Sequence, residues 1–113
     1  MHEAGLAQSA LDIASERAHE RGATRIQGLV LQVGDLSGVV PEALRFALEA
    51  LSAGTNAEGA WFEIEVVPVE CHCPACNCPF RPMDVIYACP TCGTISSDVR
   101  QGHELTLLSM EVS

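Results

Sequence analysis

The spacing of apolar positions changes period along the chain, and each change marks an element. From about Ala4 to Arg21, Leu6, Ala10, Ile13 and Ala14 recur at three- and four-residue steps, with Asp12, Glu16, Arg17 and Glu20 between them. This spacing predicts an amphipathic helix, and Gly22 follows it as a terminating glycine should. From Thr24 to Val33 the period shortens to two: Leu29, Leu31 and Val33 share one face, and Val30 beside them predicts a strand part-buried on both faces. Gly34-Asp35-Leu36-Ser37-Gly38 reads as a turn. Pro41 opens a second helix, where its missing N–H is harmless, and Leu44, Ala47, Leu48 and Leu51 form the apolar stripe that Gly54 ends. Ala60 to Val69 alternates again, with Phe62, Ile64 and Val66 opposed to Glu63 and Glu65, and His103 to Val112 resumes a strand pattern through Leu105 and Leu107.

Between these last two strands the apolar periodicity gives way to cysteine. All six cysteines of the chain fall between Cys71 and Cys92. Two CxxC pairs stand out, Cys73/Cys76 and Cys89/Cys92. Cysteines three apart can turn both sulfurs toward one point, and a second such pair opposite completes a tetrahedron of thiolates suited to zinc. Pro74, Pro90 and Gly93 fit the tight turns such a site needs. Cys71 and Cys78 are surplus to a four-ligand site and stand in CxC spacings that reach one metal less comfortably, so Cys73, Cys76, Cys89 and Cys92 are the predicted ligands. His72 adjoins Cys73 and would compete in a site that four thiolates already close. Iron in a rubredoxin-like site is the rival reading of the same donors. Disulfides would need an oxidising compartment.

The predicted architecture is α+β: a small mixed sheet with two helices, plus an inserted four-cysteine zinc-ribbon-like domain. The body comprises residues 1–69 with 103–113, and the insert residues 70–102. At 113 residues this is one modest core with a metal-stapled insert. Aromatics are only 4% of the chain and many apolar positions are alanine, so a thin core is expected.

A formal charge of −9 removes one class of function that zinc ribbons often serve. Nucleic-acid backbones are gripped by concentrated basic surface, and none is present. An acidic balance suits cations or basic protein partners instead. No apolar run reaches membrane-spanning length. The first residues lack the basic region and continuous apolar block of a secretion signal, which predicts a cytoplasmic protein. No nucleophile–base pairing is visible, and the glycines at Gly34 and Gly38 lack the lysine and spacing of a phosphate loop, so an enzyme is not expected.

The first three residues carry the other chemical signal. The α-amine of Met1, the amide that follows it and the imidazole of His2 can chelate one metal in adjoining rings. Nitrogen donors in a plane are what divalent nickel and copper favour. The backbone or carboxylate of Glu3 can fill the fourth position, and the bulk of His2 keeps Met1 in place.

These features come in one order along the chain: Met1-His2-Glu3, an amphipathic helix, the segment Val33 to Ala47 that reads Val-Gly-Asp-Leu-Ser-Gly-Val-Val-Pro-Glu-Ala-Leu-Arg-Phe-Ala, the two CxxC pairs, and a terminal segment from Gly102 to Val112. In that order the chain resembles the HypA/HybF family of hydrogenase maturation proteins over essentially its full length. The resemblance implies a nickel metallochaperone that delivers nickel to the large subunit of nickel–iron hydrogenase with a partner GTPase and holds a separate structural zinc. It also implies nickel at Met1, His2 and Glu3, and zinc at Cys73, Cys76, Cys89 and Cys92. Some members add an acidic ligand from the loop before the second helix, where this chain has Val39, Val40 and Pro41.

Overall fold

A computed structural model describes residues 2–113. Its elements run α1 (Glu3–Glu20), β1 (Ile26–Gly34), α2 (Pro41–Ser52), β2 (Trp61–Val67), β3 (Glu70–Cys73), β4 (Cys78–Phe80), β5 (Val99–Gln101) and β6 (Leu105–Val112). Both helices and the three longer strands fall where the apolar periodicity puts them. The strand expected from Thr24 begins instead at Ile26, and just before it the N–H groups of Thr24 and Arg25 both donate to the Ser113 carbonyl, at 2.9 and 3.1 Å.

One sheet has the order β2-β1-β6, with β1 parallel to β2 and antiparallel to β6. Such a mixed sheet follows from the connections. The β1-to-β2 link contains α2, long enough for a parallel crossover, whereas β6 returns from the cysteine segment in the opposite direction. Leu29, Leu31 and Val33 are buried beneath the helices together with Ile26, Leu44, Leu48 and Phe62.

The α1 stripe lies differently from the one its spacing suggests. Ala7, Ala10, Leu11, Ala14 and Ala18 form the buried face, while Ile13 is 43% exposed. A face of methyl groups lets the helix approach its neighbours closely, and Ile13 is left at the rim. Each buried methyl group contributes only about 0.8 kcal/mol, so the core is thin, as the composition predicts.

The second sheet, order β4-β3-β5, lies wholly inside the cysteine segment. It buries a separate cluster of Cys71, Cys73, Phe80 and Cys89. After Cys92, Ile95 bridges back to Ala88 before the chain reaches β5.

The two sheets meet at a backbone clasp. Gly34 N–H donates to the Glu104 carbonyl, Asp35 N–H to Val67 and Leu36 N–H to Gly102, at 2.7, 2.9 and 2.7 Å. A side chain on Gly34 would collide with the Gly102 backbone, so only glycine permits this closeness. The first half of α1, from Leu6 to Ile13, adjoins Leu31 and the start of β6, so the amino end of α1 lies at the clasp end of the sheet. Among the described residues no helix is long and apolar enough to cross a membrane.

Candidate metal centre

The structure brings Cys73, Cys76, Cys89 and Cys92 together, with their four sulfurs all within 4.8 Å of one another. Two turns of the same design produce this. In the first, Asn77 N–H donates to the Cys73 carbonyl at 2.8 Å and Cys76 N–H points at the Cys73 sulfur at 3.3 Å. In the second, Gly93 N–H donates to the Cys89 carbonyl at 2.8 Å, and Cys92 N–H bonds the Cys89 sulfur. Each turn therefore folds the first sulfur of its pair under backbone donors and swings the second beside it.

The donor set fits a tetrahedral thiophilic ion. With metal–sulfur bonds of about 2.3 Å, a tetrahedron has sulfur–sulfur edges of about 3.8 Å. Cys73 and Cys92, from opposite turns, stand 3.6 Å apart. All six cysteines are free thiols.

The electrostatics point the same way. The Cys92 thiol is pulled down to about 6, first by the Thr94 hydroxyl 3.1 Å away, which donates to the sulfur once it ionises, and then by the Thr94 N–H. Cys89 is lowered by the N–H groups of Cys92 and Thr91. The first turn is opposite in sign. Cys76 is pushed far up, by its hydrogen bond with Cys92 before burial. Cys73 is raised on balance: the Cys76 N–H lowers it, and burial with the Cys92 sulfur outweighs that. Thiols this close cannot all ionise unaided, and a divalent cation among them removes the repulsion that holds the remaining protons on.

The remaining candidates lie around this cluster. Cys71 is fully buried with Phe80 beneath the site, and its thiol is raised by burial and by Asp98. Cys78 faces Cys73 across the β3–β4 pair and is half-buried. The His72 ring bonds the Asn77 side chain at 3.1 Å, outside the sulfur cluster. Two supporting residues went unremarked in the sequence. The Cys92 thiol hydrogen-bonds the Thr94 hydroxyl, and buried Ser96 donates from its hydroxyl to the His72 carbonyl while its N–H donates to the Tyr87 carbonyl, tying the two turns together. Both lie in a Gly-Thr-Ile-Ser-Ser stretch whose composition signals only a loop.

At the other end of the chain, Met1 lies outside the described residues. His2 is the N-cap of α1; it is exposed, and its side chain makes no capping hydrogen bond. Glu3 occupies the first helical turn and is half-buried. The structure shows no cluster of metal-ligating side chains at this end among the described residues.

Comparison with known proteins decides the family. A family model described as "Hydrogenase/urease nickel incorporation, metallochaperone, hypA" matches residues 1–112. The chain belongs to the HypA family. A hydrogenase maturation factor HypA from Picosynechococcus sp. is 46% identical over 112 residues, covering 99% of each chain. The protein of that name from Roseiflexus sp. is 41% identical and covers 98% of this chain and 91% of its own. Among solved structures, the Ni metallochaperone HypA from Helicobacter pylori superposes with a TM-score of 0.66 at 25% identity, over 99% of this chain and 97% of its own. A second HypA solution structure reaches a TM-score of 0.70 at 26% identity, over 100% and 97%. HypA is a metallochaperone family for nickel incorporation and not an enzyme family.

Proposed function

We propose that this chain carries nickel for the maturation of nickel–iron hydrogenase, taking it at Met1, His2 and Glu3, and holds a structural zinc at Cys73, Cys76, Cys89 and Cys92. The family match over residues 1–112 carries this reading, and the curated relatives, named for hydrogenase maturation, favour hydrogenase over urease as the destination. The proposed division is a nickel-binding body of residues 1–69 with 103–113 and a zinc-binding domain of residues 70–102. The two separate buried clusters support it. The proposed partners are a nickel-incorporation GTPase and the hydrogenase large subunit. Six free thiols accord with a cytoplasmic setting.

The two sites differ in kind. When bound, zinc among four sulfurs supplies cross-linking and no open position for water or substrate. The amino-terminal site is built for exchange. Serine, threonine, aspartate or asparagine would stabilise α1 at its N-cap, but His2 stands there with its imidazole uncommitted to capping. The positive end of the helix dipole opposes a cation, and Glu3 in the first turn offsets it. Chain ends rearrange at little structural cost, so the ion can pass to a partner. Binding needs deprotonated nitrogens, so acid releases the cargo.

The test uses untagged, zinc-loaded protein. His2→Ala abolishes stoichiometric nickel binding in calorimetry while elemental analysis finds zinc unchanged, and a one-residue amino-terminal extension weakens nickel binding because it displaces the amine. Unchanged nickel affinity in His2→Ala defeats the assignment.

A further inference from the structure

The sheet order β2-β1-β6 leaves β6 paired on one side only. Exposed strand edges invite pairing with another chain, and soluble proteins blunt them with lysine, proline, shortness or a cover. β6 is eight residues long and contains no proline, lysine or arginine, and Leu105 and Leu108 on it are 40% and 49% exposed. Its pairing with β1 has two register shifts, one at Ile26/Gly28 and one that leaves Leu108 as an extra residue of β6 between the Val30–Ser109 and Leu31–Leu107 pairs, and Glu111 is its one charged side chain.

Beside this edge runs a groove of about 270 Å³, with β6 from Leu107 to Val112 on one side and Arg17 and Arg21 of α1 on the other. The chain has six basic residues, all arginine. Arg25 and Arg45 donate to the carbonyls of Glu58 and Phe62, and Arg100 pairs with Asp98. Arg17 and Arg21, one helical turn apart, have no ion pair among the described residues. Glu16 and Glu20 adjoin them without lining the groove.

We propose that the outer edge of β6 accepts an extended acidic segment of a partner protein as an added strand. Backbone pairing with β6 supplies the affinity, and alternate side chains on the α1 side place carboxylates against Arg17 and Arg21. Apolar residues of the segment meet Leu108, which borders the same groove. A second copy of the chain is the poorer occupant, since it brings its own net charge of −9, whereas a short segment brings only the charges beside the arginines.

The experiment titrates zinc-loaded, full-length protein with a short blocked peptide alternating valine and glutamate, and with its valine–lysine counterpart. The valine–glutamate peptide should shift and slow exchange of the β6 amides, and bind at least about tenfold tighter than the lysine peptide at low salt. The double charge reversal Arg17→Glu and Arg21→Glu should invert that preference, with the fold checked by the unchanged amide spectrum of β2. Met110 stands opposite Leu29 at a pair whose N–H groups face away from each other, so Met110→Pro removes an outward donor of β6 and should abolish binding of either peptide. Equal binding of the two peptides, perturbation confined to other strands, or β6 amides already protected in a concentration-dependent dimer would each overturn the proposal.

Discussion

Asn77 and Gly93 occupy equivalent positions in the two turns of the metal centre. Each follows the second cysteine of its pair, each has a left-handed backbone with φ of 52° and 77°, and each donates its N–H to the carbonyl of the first cysteine at 2.8 Å. The left-handed region costs an ordinary residue about 1–2 kcal/mol, and glycine and asparagine are the residues that enter it routinely.

That equivalence predicts an asymmetric pair of substitutions. Gly93→Val should cost at least about 1 kcal/mol and speed metal loss, because a β-branched side chain must be forced into the left-handed turn. Asn77→Gly should change stability by less than about 1 kcal/mol, since relief in the folded turn is offset by the freer unfolded chain. Thermal melts of the metal-loaded variants check both, and a destabilising Asn77→Gly would show that the His72–Asn77 contact matters more than the turn.

The cysteines divide by position in the fold. Cys71→Ala should keep full zinc and lose about 1 kcal/mol, the value of a small buried group in the cluster with Phe80. Cys92→Ala, although it alters the only exposed cysteine, should release the metal because it opens the four-sulfur cluster. Elemental analysis distinguishes them; full zinc in Cys92→Ala would refute the ligand set.

Much of this was legible from the sequence because two kinds of signal are local. Period-two and period-four apolar spacing gave Leu29, Leu31, Val33, Leu44 and Leu48 their buried places, and the CxxC spacing gathered the four cysteines. The short strands β3, β4 and β5 left no such trace. Runs of three or four residues are too short to show a period, and their register depends on the turns of the cysteine segment rather than on apolar alternation. Ile13 misled for a related reason. Spacing identifies a helix, but which of two overlapping stripes is buried depends on the surface it meets, and alanines won that contact. Ser96 was invisible because its role, a hydroxyl donated to the His72 carbonyl, exists only once distant segments meet.

A pH effect follows from Asp98 and Arg100. Arg100 Nε and an NH₂ group each donate to the Asp98 carboxylate at 2.8 Å, and this holds the carboxyl below its ordinary range. A depressed carboxyl favours the charged, folded state, so its contribution is complete above the ordinary value of about 3.9 and is lost as pH falls through the lowered one. Both side chains are about half exposed, at 56% and 48%, so solvent keeps the contribution small. A carbon-detected titration of the Asp98 carboxyl should give a midpoint below the ordinary range, and Arg100→Gln should raise it. An unmoved midpoint in Arg100→Gln would assign the shift to another neighbour.

Removal of the metal should act unequally on the two sheets. The β2-β1-β6 sheet draws on Leu29, Leu31, Leu44, Leu48 and Phe62, none of which touches the sulfur cluster. The β4-β3-β5 sheet has strands of three or four residues and a core of Cys71, Cys73, Phe80 and Cys89, two of whose members are metal-ligand candidates. Such a core is too small to fold on apolar burial alone, so metal binding supplies its folding free energy. Chelation at neutral pH should therefore accelerate amide exchange from Glu70 to Gln101 by orders of magnitude while the amides of β1 stay protected. Equal loss of protection in both sheets would mean that the clasp of Gly34, Leu36, Gly102 and Glu104 couples them into one cooperative unit.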